Sequence, residues 1–119
     1  MAKVLVVDDD AMVRKMAAFI LNKGNVDNAG VGSGEEAIEL LKKENFDLVV
    51  LDIEMPQMGG IETLEIIRQD ETVKDIKVIF MTGTIDEKTK SAAARLEAVG
   101  VIEKPLKPVE FMEIINEKL

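Results

Sequence analysis

The sequence predicts an α/β fold, a doubly wound domain on a five-stranded parallel sheet, and three observations lead there. Four short apolar runs, Val4-Leu5-Val6-Val7, Leu48-Val49-Val50-Leu51, Val78-Ile79-Phe80-Met81 and Val101-Ile102, lack polar alternation and are rich in β-branched residues. That is the pattern of parallel strands covered on both faces. Longer segments with helical apolar spacing separate the runs, so the order is β-α repeated five times. No linker, repeat or low-complexity stretch breaks the alternation, and right-handed crossovers then put helices on both faces of one sheet.

Taken in order, the first run is followed by Val13, Met16, Ala17 and Ile20, spaced i, i+3, i+4 and i+7 on one helix face. Asp10 is placed to cap that helix. Residues 26–31 form a weaker strand, broken by Asp27, Asn28 and Gly30, and belong at a sheet edge. Ser33 and Glu36 read as a capping box ahead of Ala37, Ile38 and Leu41. After the Leu48 run, Gly59-Gly60 is expected to form a turn with positive φ, opening a helix with Ile61, Leu64 and Ile67 on one face. Asp86 caps a fourth helix whose inner face is only Ala92, Ala93 and Leu96, so it should be the least firmly held. The fifth presents Phe111, Met112, Ile115 and Leu119. Met12, Met16 and the other methionines read as core filler, and Arg14 and Lys15 as a solvated face.

With 119 residues the chain is expected to be one domain, residues 1–119. Nearly half the residues are apolar and a third are charged, a globular composition. The formal charge of −8 argues against a nucleic-acid surface, which selects for basic patches. There is no cysteine and no histidine, so thiolate and Ser-His-Asp catalysis are excluded, as are Cys- or His-ligated metals and a histidine phosphocarrier within this sequence. A metal here must be held by oxygen. No apolar run has signal-peptide form or membrane-spanning length, so a cytoplasmic protein without membrane contact is expected.

Parallel strands bring their carboxyl ends to one edge, where ligands bind in such sheets. Val7 gives way to Asp8, Leu51 to Asp52, Met81 to Thr82 and Glu103 to Lys104. The topology therefore gathers Asp8, Asp9, Asp52, Thr82 and Lys104 around one spot. Three carboxylates repel one another by on the order of several kcal/mol per pair at low dielectric, and persist by raised pKa values or by binding a cation. Hard carboxylates suit Mg²⁺, with Mn²⁺ able to substitute. Lys104 adds a fixed positive charge and Thr82 a hydroxyl, which together describe a phosphoryl pocket beside a carboxylate nucleophile.

These pieces resemble the response-regulator receiver domains over essentially the whole chain. The matching segments are Val6-Val7-Asp8-Asp9, then Leu51-Asp52-Ile53-Glu54-Met55-Pro56 leading to Met58-Gly59-Gly60, then Met81-Thr82-Gly83, then Glu103-Lys104-Pro105. The resemblance implies a flavodoxin-like three-layer sandwich with strand order 2-1-3-4-5 and two-component signalling as the function. It implies that Asp52 is the phosphoacceptor and that Asp9 and Asp52 ligate Mg²⁺. Asp8 would act mainly through water, and the backbone carbonyl of Glu54 would complete the ligand set. Thr82 would bind a phosphoryl oxygen and move inward on activation, with Gly83 leaving room beside it. Lys104 would pair with Asp52 and then with the phosphoryl group, and Pro105 would follow a cis peptide bond. The implied partners are a histidine kinase or phosphotransfer protein and a downstream target on the face of residues 82–119, the domain being a monomer or weak dimer.

Departures from the family pattern are Val101, where an aromatic switch residue is common, Glu97, where a glycine is common, and Glu54 and Thr84 at the pocket rim. A haloacid-dehalogenase-like aspartyl phosphatase is the competing enzyme reading, with Asp8-Asp9-Asp10 meeting its Asp-x-Asp pattern and Asp8 as nucleophile. It lacks paired acids after Lys104 and residues for a cap. A pseudo-receiver would have lost a site residue, and none is lost.

Overall fold

In a computed structural model, residues 2–119 are described. The elements are β1 (Lys3–Val7), α1 (Ala11–Lys23), β2 (Asp27–Val31), α2 (Gly34–Lys43), β3 (Leu48–Asp52), α3 (Gly60–Gln69), β4 (Lys77–Thr82), α4 (Glu87–Arg95), β5 (Gly100–Glu103) and α5 (Pro108–Lys118). All strands run parallel in the order β2-β1-β3-β4-β5, so the expected fold class and strand order are both found. No described helix is long and apolar enough to cross a membrane.

The strand runs have no polar alternation because each has two apolar faces to cover. Leu5, Val7, Val49, Leu51, Val78 and Phe80 point to one side, where Ala37, Leu41, Leu64, Ile67 and Ala92 from α2, α3 and α4, and Leu96 just past the end of α4, meet them. Val4, Val6, Leu48, Val50, Ile79 and Met81 point to the other, against Ala17, Ile20 and Leu21 of α1 and Phe111 and Ile115 of α5. Burying each large side chain stabilises the fold by roughly 1.5–3 kcal/mol, and the period of two divides every central strand between the layers. Edge strand β2 pairs with β1 alone and tolerates Asp27, Asn28 and Gly30, being only half covered.

The predicted caps form. Asp10 accepts from the Met12 amide at 2.8 Å, Ser33 Oγ from the Glu36 amide at 3.2 Å and Asp86 from the Thr89 amide at 2.8 Å. In the α2 cap, Glu36 accepts the Ser33 hydroxyl at 3.1 Å, a variation on the usual capping box. Within α4 only Thr89 and Ala92 are buried, in keeping with a lightly held helix.

Three expectations are corrected. No glycine has positive φ, and the left-handed residue in the loop after β3 is Gln57, at 67°. Gly60 is needed instead for close approach, since a Cβ there would strike the backbone carbonyl of Asp52. Met12 and Met16 are 70% and 48% exposed, because they lie on the outer side of α1 beside Pro105 and Leu106, and are not core. Arg14 is half-buried and donates to the Asp8 carbonyl at 2.7 Å, a structural contact where a solvated side chain was expected.

Glu97 closes α4 in the left-handed region, φ 57°, with Ala98 N–H donating to Ala93 O at 2.9 Å. This is a Schellman ending, where glycine avoids the Cβ penalty. Glu97→Gly is expected to stabilise the protein by about 0.5–1 kcal/mol, read as a higher denaturation midpoint at unchanged slope.

Candidate functional site at the carboxyl edge of the sheet

The ladder hydrogen bonds continue past the strand ends and fix the segments that follow. Asp8 N donates to Val31 O at 3.2 Å, Ile53 N to Met81 O at 2.9 Å and Lys104 N to Thr82 O at 2.8 Å. Asp8 and Asp52, after β1 and at the end of β3, are buried. Asp8 Oδ1 accepts the Asp10 amide at 2.9 Å, which turns its other oxygen toward the pocket. Asp9 is exposed at the rim. One carboxylate oxygen from each of Asp8, Asp9 and Asp52 lies within 4.8 Å of the other two.

Lys104 Nζ lies 2.9 Å from Asp8 Oδ2 and 3.0 Å from Asp52 Oδ1, so it bridges both acids where the sequence reading paired it with Asp52. The Lys104–Pro105 bond is cis, as expected. These contacts are charge pairs, and no hydrogen bond of good direction reaches Asp8 Oδ2 or either oxygen of Asp52. Burial pushes Asp52 up to about 6; Lys104 opposes the rise, while Asp8 and Glu54 add to it. For Lys104 burial acts downward, but Asp8 and Asp52 together outweigh it and hold the ammonium above its ordinary value. Buried oxygens without donors, in an all-carboxylate set, fit a hard divalent cation.

Thr82 is fully buried at the end of β4, adjacent in register to Asp52, which faces Met81. Its hydroxyl is engaged elsewhere, lying 2.6 Å from Glu54 Oε2 and 3.0 Å from Thr84 O. Gly83 N donates to Glu54 Oε1 at 3.1 Å. The sequence reading placed Glu54 only as a backbone ligand and a rim charge. Its side-chain role was missed, and the signal available was an acid on the β3 loop facing a hydroxyl at the end of the neighbouring strand. An alanine Cβ at Gly83 would meet nothing, consistent with open space there. Val101 is half-buried against the α2–α4 layer and presents no aromatic ring.

Because Asp9 crowds two buried acids, Asp9→Ala is expected to raise metal-free stability by about 1 kcal/mol, the exposed position screening most of the repulsion. A lowered melting temperature would instead assign Asp9 a structural role.

A 2-1-3-4-5 parallel sheet with an acid cluster, a threonine and a lysine at its carboxyl edge defines a CheY-like class of domain. Residues 4–116 match the response regulator receiver domain, and the chain belongs to that family. It is 38% identical over 118 residues to the probable C4-dicarboxylate response regulator DctR of Bacillus subtilis, covering 98% of this chain and 51% of DctR. It is 33% identical over 119 residues to the DNA-binding response regulator MtrA of Mycolicibacterium paratuberculosis, covering 98% of this chain and 51% of MtrA. The chain thus spans about half the length of both proteins. The chemotaxis protein CheY4 of Vibrio cholerae superposes with a TM-score of 0.94 at 28% identity, covering 100% of this chain and 99% of CheY4. These relatives give no support to the haloacid-dehalogenase reading.

Proposed function

We propose that Asp52 is the phosphoacceptor of this receiver domain, taking a phosphoryl group from a partner histidine kinase or phosphotransfer protein in a Mg²⁺-dependent reaction. The observation that carries the reading is the buried Asp52 carboxylate, its oxygens without directed donors, beside Lys104 and two further acids. An Asp52 oxygen forms the new bond to phosphorus as the bond from phosphorus to the donor nitrogen breaks, leaving an acyl phosphate. The donor histidine comes from outside these 119 residues, which contain none.

Asp8, Asp9, Asp52 and the Glu54 carbonyl would hold Mg²⁺, whose charge would offset the repulsion between the acids and an incoming phosphoryl group. Lys104 lies where it can turn from the two carboxylates to phosphoryl oxygens, and Thr82 offers a hydroxyl to another. Gly83 keeps space open and Pro105 anchors the lysine turn. The domain assists its own phosphorylation and dephosphorylation and acts on other proteins by changed affinity. Since Val101 lacks reach for an aromatic switch, the output runs through residues 82–96 of the 82–119 face. MtrA is described as DNA-binding, so the acidic balance of these residues speaks for this domain alone.

Incubation with acetyl phosphate and Mg²⁺ is expected to give one phosphoryl adduct by intact mass, absent in Asp52→Asn and absent with a chelator. An unmodified wild-type protein, or an adduct mapped to Asp8, would overturn the assignment.

A further inference from the structure

We propose that the Glu54 carboxylate is a latch on the switch loop: in the unphosphorylated domain it holds the Thr82 hydroxyl and the Gly83 amide, and a phosphoryl group on Asp52 must displace it. The inference rests on Asp52 being the phosphoacceptor and adds a competitor built into the site. Glu54 is two residues past Asp52, at the start of the loop after β3, and Thr82 ends the neighbouring β4. The pairing of Asp52 with Met81 sets the two loops side by side.

The grip has two points. Glu54 Oε2 lies 2.6 Å from Thr82 Oγ1 and Glu54 Oε1 lies 3.1 Å from Gly83 N. Hydrogen bonds to an ionised acceptor are the strong ones, and two on adjacent residues fix the loop as well as the hydroxyl. A hydroxyl carries one proton, so Thr82 cannot donate to Glu54 and to a phosphoryl oxygen at once. Thr84 reinforces the arrangement, its amide donating to Thr82 Oγ1 at 3.2 Å. Both occupants of this pair of donors are oxyanions, which makes Glu54 an internal stand-in for the phosphoryl group. Because Glu54 is exposed, it has solvent to swing into when displaced, and phosphorylation would exchange one anion for the other at the same donors. The latch thus biases the Thr82-Gly83-Thr84 segment toward its resting position until the acyl phosphate forms.

The test uses the folded wild-type protein with Glu54→Ala and Glu54→Asp, an exposed position that each substitution should leave folded. Amide exchange at Gly83, followed by NMR without metal, reads the latch independently of phosphoryl chemistry. Beryllofluoride affinity in Mg²⁺ reads the competition. In both variants Gly83 exchange should accelerate and beryllofluoride should bind roughly tenfold tighter, as loss of one charge-assisted competitor predicts. Glu54→Asp keeps the charge and loses the reach, so it should behave as Glu54→Ala. If it behaves as wild type, charge repulsion alone explains Glu54 and the latch is wrong. Unchanged Gly83 exchange in both variants also overturns it. Equal beryllofluoride affinity in all three proteins overturns the competition alone, whereas no binding to any of them overturns the phosphoacceptor reading with it.

Discussion

Without divalent metal, the protein is expected to become more stable, by roughly 2–3 kcal/mol, as the pH falls from about 7 to about 4. The cause is Asp52, which burial pushes up to about 6 from an ordinary 3.8. Between those values the folded protein holds a proton that the unfolded chain has released, so the native state binds more protons and gains stability as the pH falls. Asp86 and Asp70 act in the opposite sense. Hydrogen bonds from Thr89 and Thr72 hold them below 3.8, so what they contribute is present above that value and is lost as the pH falls further. Stability should therefore peak near pH 4, close to the ordinary carboxylate value at which the two opposing effects meet. Thermal melts in a chelating buffer would show this, and Asp52→Asn should be more stable than wild type at neutral pH and nearly flat across the window. Added Mg²⁺ should raise the melting temperature more at neutral than at acidic pH, because proton and cation compete for the same carboxylates. A wild-type profile as flat as that of Asp52→Asn would show that Asp52 remains charged throughout.

Gly60→Ala is expected to destabilise the protein by about 3 kcal/mol and to slow the labelling of Asp52 as well. Gly60 is the buried first residue of α3, and its N–H donates to Ile53 O at 3.0 Å. An added Cβ would meet the Asp52 carbonyl oxygen and, at 2.9 Å, the Asp52 carbonyl carbon and Ile53 Cα. These are backbone atoms with no rotamer to yield, so α3 must retreat from the end of β3 or Asp52 must turn. Gly83→Ala is the control: its Cβ meets nothing and its φ is not positive, so stability should change by only about 0.5 kcal/mol. Chemical denaturation of the two variants, with acetyl phosphate labelling rates, separates packing from room for the ligand. Equal stability of Gly60→Ala and wild type would mean that the junction of β3 and α3 is softer than these distances allow.

What the sequence determined by itself was the architecture and the gathering of the candidate site residues at one edge of the sheet. Apolar runs such as Val4 to Val7 and Val78 to Met81 carry enough β-branched residues to be strands on local grounds, and Asp10, Ser33 and Asp86 announce helix starts through bonds to residues two or three positions away. The position of Asp8, Asp52, Thr82 and Lys104 just after such runs, with the rule that parallel strands end on one edge, was enough to gather them. The tertiary structure decided which of them touch. Lys104 bridges Asp8 and Asp52, Glu54 holds Thr82 and Gly83, and Arg14 braces the Asp8 carbonyl. Such contacts are set by ångström-scale distances between loops of different strands, on which periodicity carries no information. The outward face of Met12 and Met16, the left-handed Gln57 and the close approach at Gly60 were also tertiary outcomes. A residue's helical face and backbone region answer to the neighbours it meets, and those neighbours are defined only once the sheet has closed around its two layers of helices.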